Sequence, residues 1–254
     1  MLIDHWKGHT IEAARSRGGV LALARVRDGL IGAAPWPPAS IVQKLYQSRQ
    51  ARSFDMEELE IVTRDLGYYC DLQSVHSEDA ITYNFFAIIG EQSVPVLNWM
   101  LERLGIDGDN TNCEVSCWRR TPHPDTLVSG GPELDALLVG DRSVIAVEAK
   151  WRSGEGIGQG KDGTKTQLQL RSEWFAKHGK QIFGDRNMIV LGVSAFDDDL
   201  VMPLPDDPST QMATMSWKDL TECRDHPHTD EYTRYYRWKV ENSDWAVRRG
   251  APLV

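Results

Sequence analysis

Four runs of strand length between residues 113 and 194 carry the clearest hydrophobic patterning of the chain: "CEVSCWRR", "LDALLVG", "SVIAVEAKW" and "NMIVLGVS". The first alternates, while "VIAVEAKW" is apolar on both sides of its charges, the pattern of a strand covered on two faces. Between the third and fourth runs, "RSGEGIGQGKDGTKTQLQLRSEWFAKHG" opens with five glycines. It closes as a helix, with Leu170 and Trp174 four apart and Leu168 and Phe175 seven apart.

Upstream the spacing turns helical. "HSEDAITYNFFAIIG" offers Ser77 as N-cap, Glu78 and Asp79 in the first turn, Ile81, Phe85, Ile88 and Ile89 on one stripe, and Gly90 as a stop. "SVPVLNWMLERLG" repeats this logic with Ser93 to cap, Pro95 in the first turn and Gly105 at the end. "SFDMEELEIVTRDLGYY" has Ser53 or Asp55 to cap and Glu in its first turn. Before it, "IEAARSRGGVLALARV" and "SIVQKLYQSRQ" carry helical spacing, interrupted by the three prolines of "AAPWPPAS".

These patterns predict a helical N-terminal region over 1–74, an α/β core over 75–200 and a C-terminal extension over 201–254 packed on that core. Within the core the order is helix, three strands, helix, strand, which requires at least one crossover connection and a mixed sheet. The extension ends in "EYTRYYRWKVENSDWAVRR". Its aromatic residues cover the edge of the core, or alternatively stack on nucleic-acid bases.

Composition narrows the class. With 254 residues and 41% apolar content the chain can bury a substantial core. No apolar run reaches the roughly 18 residues of a membrane span. The N-terminal stretch lacks the apolar segment of a secretory leader, so the expected location is the cytoplasm, without membrane attachment. The four cysteines have no CxxC spacing; Cys113 and Cys117 read as small apolar residues sharing one strand face. Cys223, His226 and His228 form a looser metal candidate with no second ligand pair at zinc spacing.

A net charge of −9 argues against a surface coated with cations for gripping nucleic acid. The distribution is uneven, however. Residues 142–186 hold nine Lys or Arg against five Asp or Glu, a local +4 that leaves −13 for the remainder. The cationic stretch surrounds "PELDALLVGDRSVIAVEAKW", where charge sits inside apolar sequence.

Side chains alternate along a strand, so Glu148 and Lys150 point to one face. Gly140 and Asp141 signal a hairpin turn, and a turn centred on Asp141 and Arg142 sets Asp135 opposite Glu148. Two carboxylates and one ammonium then converge. Buried carboxylates repel and need compensation. A divalent ion completes it, and Mg²⁺, for which Mn²⁺ can substitute, takes oxygen ligands from one or two carboxylates together with waters and phosphate oxygens. A structural ion pair of Lys150 with Glu148 or Asp135 is the competing explanation.

Asp135 followed by Glu148-Ala149-Lys150 at the end of a hairpin, then a helix and another strand, resembles the PD-(D/E)XK nuclease superfamily, which includes the type II restriction endonucleases. The resemblance covers about residues 75–195 and implies a restriction endonuclease-like α/β core, here with extra N-terminal helices. It implies catalytic roles for Asp135, Glu148 and Lys150, metal ligation by Asp135 and Glu148, and a further acid from the helix before the sheet. Glu78 is the matching residue, with Asp79 second. A Gln on the helix after the third strand matches Gln167 or Gln169. The sequence departs from the family in reading "PELD", so Glu133 competes with Asp135.

The glycine-rich loop satisfies G-x-G-x-x-G at Gly158, Gly160 and Gly163, but too far from the preceding strand for a dinucleotide-binding turn, and it lacks the residues of a P-loop. It reads either as a surface loop or as a loop that brings Arg152, Lys161 and Lys165 toward phosphates, with Arg171 on the following helix. The expected activity is Mg²⁺-dependent hydrolysis of DNA, with a homodimer or a partner protein supplying additional affinity for an acidic chain. The alternatives are a nuclease-fold module that binds nucleic acid or protein without catalysis, and an unrelated α/β protein whose ion pair imitates the motif.

Overall fold

The computed structural model describes residues 1–32, 51–121, 133–151, 165–195 and 210–243. In chain order these form β1 (Leu2–Asp4), β2 (Thr10–Arg15), β3 (Leu21–Leu23), α1 (Met56–Thr63), α2 (Glu78–Thr82, continued by a π-helical turn Tyr83–Ala87) and α3 (Ser93–Arg103). β4 (Cys113–Arg120), β5 (Glu133–Gly140), β6 (Ser143–Ala149), α4 (Gln167–Trp174, continued by the π-helical turn Phe175–Gly179), α5 (Lys180–Phe183), β7 (Asn187–Ser194), β8 (Thr210–Ser216) and α6 (Thr229–Glu241) follow. Among the described residues no helix is long and apolar enough to cross a membrane.

The chain divides into two compact units: Met1–Phe85 together with His228–Val254, and Phe86–Pro227. Sequence-based boundaries at 74/75 and 200/201 therefore differ from the observed ones. β8 joins the sheet of the second unit, whereas α6 belongs to the first.

The first unit corrects the helical reading of its N-terminal segment. β1, β2 and β3 form an antiparallel sheet in that order. "IEAARSRGGVLAL" is a hairpin because Gly19, at φ +80°, makes the reversal, and Ser16 clasps it by accepting from Val20 N at 3.1 Å. Helix enters only at α1, where Asp55 accepts from Glu58 N at 3.0 Å and Glu58 returns a bond to Asp55 N, a capping box. The second helical segment expected, "SIVQKLYQSRQ", lies outside the described residues. α6 buries Tyr232, Tyr235, Tyr236 and Trp238 within this unit, so its aromatic residues serve as core.

The second unit is α/β. Five strands lie in the order β4-β5-β6-β7-β8; the first three are antiparallel neighbours, and β6, β7 and β8 run parallel. The helical segment through α4 and α5 makes the crossover that a parallel β6–β7 pair demands. Every residue of β6 is buried, as the apolar residues on both sides of its charges implied. Leu168, Trp174, Phe175 and Phe183 pack with Leu137, Ala146 and Val190, and α3 lies against β4 and β5. Ser93 does not cap α3: its hydroxyl donates to Cys113 O at 2.8 Å, and Gln92 takes the N-cap position.

Candidate active site

The β5–β6 turn fixes the geometry of the charged residues. Asn110 Oδ1 accepts from Arg142 N at 2.9 Å and Ser143 N at 3.2 Å, and Asp141 accepts from Thr111 N at 2.8 Å. With the reversal pinned there, Val139 pairs with Val144 and Ala136 with Val147. Extended by one residue beyond Ala136 and Val147, the same register sets Asp135 opposite Glu148, the arrangement the turn signal implies. Directly opposed residues of antiparallel strands project to the same face. Asp135 is partly buried and reaches across to β6, its Oδ2 accepting from Ala149 N at 2.7 Å. On its other side stands Trp118, between the pairs Cys117↔Ala136 and Arg119↔Leu134, at φ +51°. A left-handed conformation at a bulky residue is strained by ~1–3 kcal/mol, and strain of this kind clusters at functional sites.

Glu148 and Lys150 leave only 1% and 4% of their surfaces exposed. Lys150 Nζ donates to Glu148 Oε1 at 2.6 Å and to Ala149 O at 2.9 Å. Its backbone is fixed on both sides, since Lys150 N donates to Val193 O at 2.7 Å and Trp217 Nε1 donates to Lys150 O at 2.8 Å. From α4, Arg171 Nη2 approaches Glu148 Oε2 to 3.3 Å and donates to Glu133 O at 2.8 Å. The contact with Glu148 is an ion pair by distance without hydrogen-bond alignment, so Oε2 is buried and lacks a donor among the described residues. The cluster thus holds two carboxylates, from Asp135 and Glu148, and two cations, from Lys150 and Arg171.

Arg171 was expected to face substrate phosphate; it instead lies 9% exposed inside this cluster. A signal for it existed. Arg171 is three residues from both Leu168 and Trp174, which places it on the buried stripe of α4. Glu133 is partly exposed and pairs with Arg120 Nε across β4 at 3.6 Å, while Asp135 engages β6. Gln169 is committed to a capping box with Thr166, accepting from Thr166 N at 2.8 Å, whereas Gln167 is the partly exposed first residue of α4. Lys165 pairs with Glu173 at 2.6 Å. Arg152, Lys161 and the glycine-rich loop lie outside the described residues.

Glu78 and Asp79 open α2 in the first unit, where Ser77 Oγ accepts from Asp79 N at 3.0 Å. There the fully buried Lys239 donates to Ser77 O at 2.8 Å and to Val75 O. Burial drives its amine pKa well below the ordinary lysine value, against the raising influence of Asp79 and Glu78. Among the described residues no group of three or more His, Cys, Asp or Glu is gathered as metal ligands, and that covers Cys223, His226 and His228. All four cysteines are free thiols, with Cys113 and Cys117 only half-buried.

The donor chemistry of the pair Asp135 and Glu148 nevertheless fits Mg²⁺. Hard carboxylate oxygens from two adjacent strands are what the ion takes when waters and phosphate complete its shell. The orphaned buried Oε2 of Glu148 is the atom with unused accepting capacity.

Comparison of the chain with protein-family models, with curated proteins and with solved structures gives no match.

Proposed function

We propose that the chain is a divalent-metal-dependent nuclease that hydrolyses DNA phosphodiester bonds on a restriction endonuclease-like core. The observation that carries this reading is the convergence of Asp135, Glu148 and Lys150 on one hairpin of a mixed sheet, before a helix and a parallel strand. Asp135 and Glu148 would hold Mg²⁺ or Mn²⁺. When bound, such an ion lowers the pKa of a coordinated water and offsets charge developing on the phosphate. Phosphodiester hydrolysis requires removal of a barrier on the order of 20 kcal/mol, for which a dedicated charged centre is the expected device.

The protein's own groups supply positioning and charge. Asp135 is held by Ala149 N, which fixes one carboxylate oxygen and sets the direction of the other. Lys150 is anchored along its backbone and ends in an ammonium that can neutralise a phosphate oxygen as negative charge accumulates there. Of the proposed substrate-facing cations, Lys165 beside α4 is described and pairs with Glu173, while Arg171 is turned to Glu148.

One observation favours a second reading, a nuclease-fold binding or interaction module without catalysis. Arg171 balances the cluster electrically without any metal ion. The test is incubation of the protein with linear, circular and single-stranded DNA and with RNA, in Mg²⁺, Mn²⁺ or chelator, beside Lys150→Ala. Metal-dependent cleavage that Lys150→Ala loses supports the nuclease; no cleavage of any substrate together with no Mn²⁺ binding by calorimetry supports the module.

A further inference from the structure

The charges on α4 and β6 point to a second role for Arg171, one that rests on the nuclease reading. We propose that Arg171 is the resident counter-ion of Glu148: a positioning residue that occupies the carboxylate when no metal ion does and competes with the ion for it.

Three features of the geometry support this. Glu148 carries a cation on each oxygen, Lys150 hydrogen-bonded to Oε1 and Arg171 at 3.3 Å from Oε2. The two contacts are unequal, because Lys150 is aligned and Arg171 is not, so Oε2 is the oxygen open to a better partner. Arg171 also has an anchor independent of Glu148, the Glu133 carbonyl on β5 at 2.8 Å. Losing the contact with Glu148 therefore leaves the guanidinium still tethered to β5.

A divalent ion at Oε2 would meet a full positive charge a few ångströms away, in a site where little water screens the repulsion. Metal affinity is held down by that repulsion. Without Arg171, Glu148 would keep Lys150 on Oε1 but leave Oε2 buried with no cation beside it, so Arg171 supports the metal-free site at the expense of ion affinity.

The test is Mn²⁺ binding by calorimetry to the full chain as wild type, Arg171→Gln, Arg171→Lys and Glu148→Gln, with thermal unfolding of each in chelator and in Mn²⁺. The expected result is about tenfold tighter Mn²⁺ binding in Arg171→Gln, near-wild-type binding in Arg171→Lys, and loss of binding in Glu148→Gln. Arg171→Gln should also unfold at a lower temperature than wild type in chelator and recover more of that loss in Mn²⁺. Arg171→Lys separates loss of charge from loss of the guanidinium, since it keeps a positive charge at this position of α4. Mn²⁺ binding by the wild type with equal or weaker binding by Arg171→Gln overturns the counter-ion role and leaves the nuclease reading intact. Absence of Mn²⁺ binding in the wild type and in Arg171→Gln alike overturns both.

Discussion

Lys150 Nζ lies 2.6 Å from Glu148 Oε1, and both side chains are almost fully buried. Buried pairs of this kind contribute little net stability when intact, because desolvation offsets attraction, but they are costly to break from one side. Lys150→Met should therefore destabilise the protein by about 3–5 kcal/mol, since Glu148 would then rely on an unaligned arginine. The double variant Lys150→Met with Glu148→Gln should recover part of that loss. Urea unfolding of the four corners of this cycle measures it.

The hairpin turn makes a separable prediction. Asn110 is 4% exposed and its side chain accepts from both Arg142 N and Ser143 N. Asn110→Ala leaves those donors without their acceptor and should cost about 2–3 kcal/mol. Gly140 cannot carry a side chain for the same reason, as a Cβ there would stand 2.1 Å from Asn110 Oδ1. Denaturant midpoints for Asn110→Ala and Gly140→Ala should both fall.

Much of the second unit is legible from sequence because its signals are local. Gly140 and Asp141 announce the turn, the alternation rule places Glu148 with Lys150, and the register that follows sets Asp135 opposite Glu148. The caps at Asp55 and Ser77 follow the same local chemistry. β8 was not legible, since "TQMATMS" has no Val, Ile, Leu or aromatic side chain and is a strand by virtue of pairing with β7. The β2–β3 hairpin carries a misleading local signal, because its alanines suit a helix by propensity while the glycine reversal overrides them. Arg171 required knowledge of which face of α4 meets β6, a tertiary fact that sequence spacing only hints at.

Protonation of His5 should make the protein acid-sensitive. Its Nε2 lies 2.8 Å from Asp28 O and so donates, while Nδ1 accepts from Lys7 N at 3.2 Å, an arrangement that requires the neutral ring. Burial lowers its pKa from 6.5 to about 4, despite the opposing bond to Asp28 O. The unfolded chain then binds the proton first, so this contribution is complete above pH 6.5 and is lost as pH falls toward about 4. The loss should reach ~3 kcal/mol, and His5→Gln should flatten the stability profile through that window.

Lys239 predicts the opposite end of the profile. Its amine is fully buried with a pKa well below 10.5, so between that depressed value and 10.5 the unfolded state holds more protons. Stability should rise with pH across this interval, and Lys239→Met should remove the slope. Urea midpoints from neutral pH to pH ~10 compare the two proteins directly.

Asp135→Asn isolates the part that the β5–β6 hairpin plays in the proposed metal-dependent phosphodiesterase centre. Asparagine keeps an oxygen able to accept from Ala149 N, so stability should change by no more than ~1.5 kcal/mol while the charge is lost. DNA cleavage in Mn²⁺ by wild type and Asp135→Asn, with the fold of each checked by unfolding, is the most direct measurement. A metal-dependent nuclease gives cleavage by the wild type, none in chelator, and a loss of at least about a hundredfold in the folded variant. Equal cleavage by the folded Asp135→Asn protein, or cleavage by the wild type undiminished by chelator, would contradict the proposed centre.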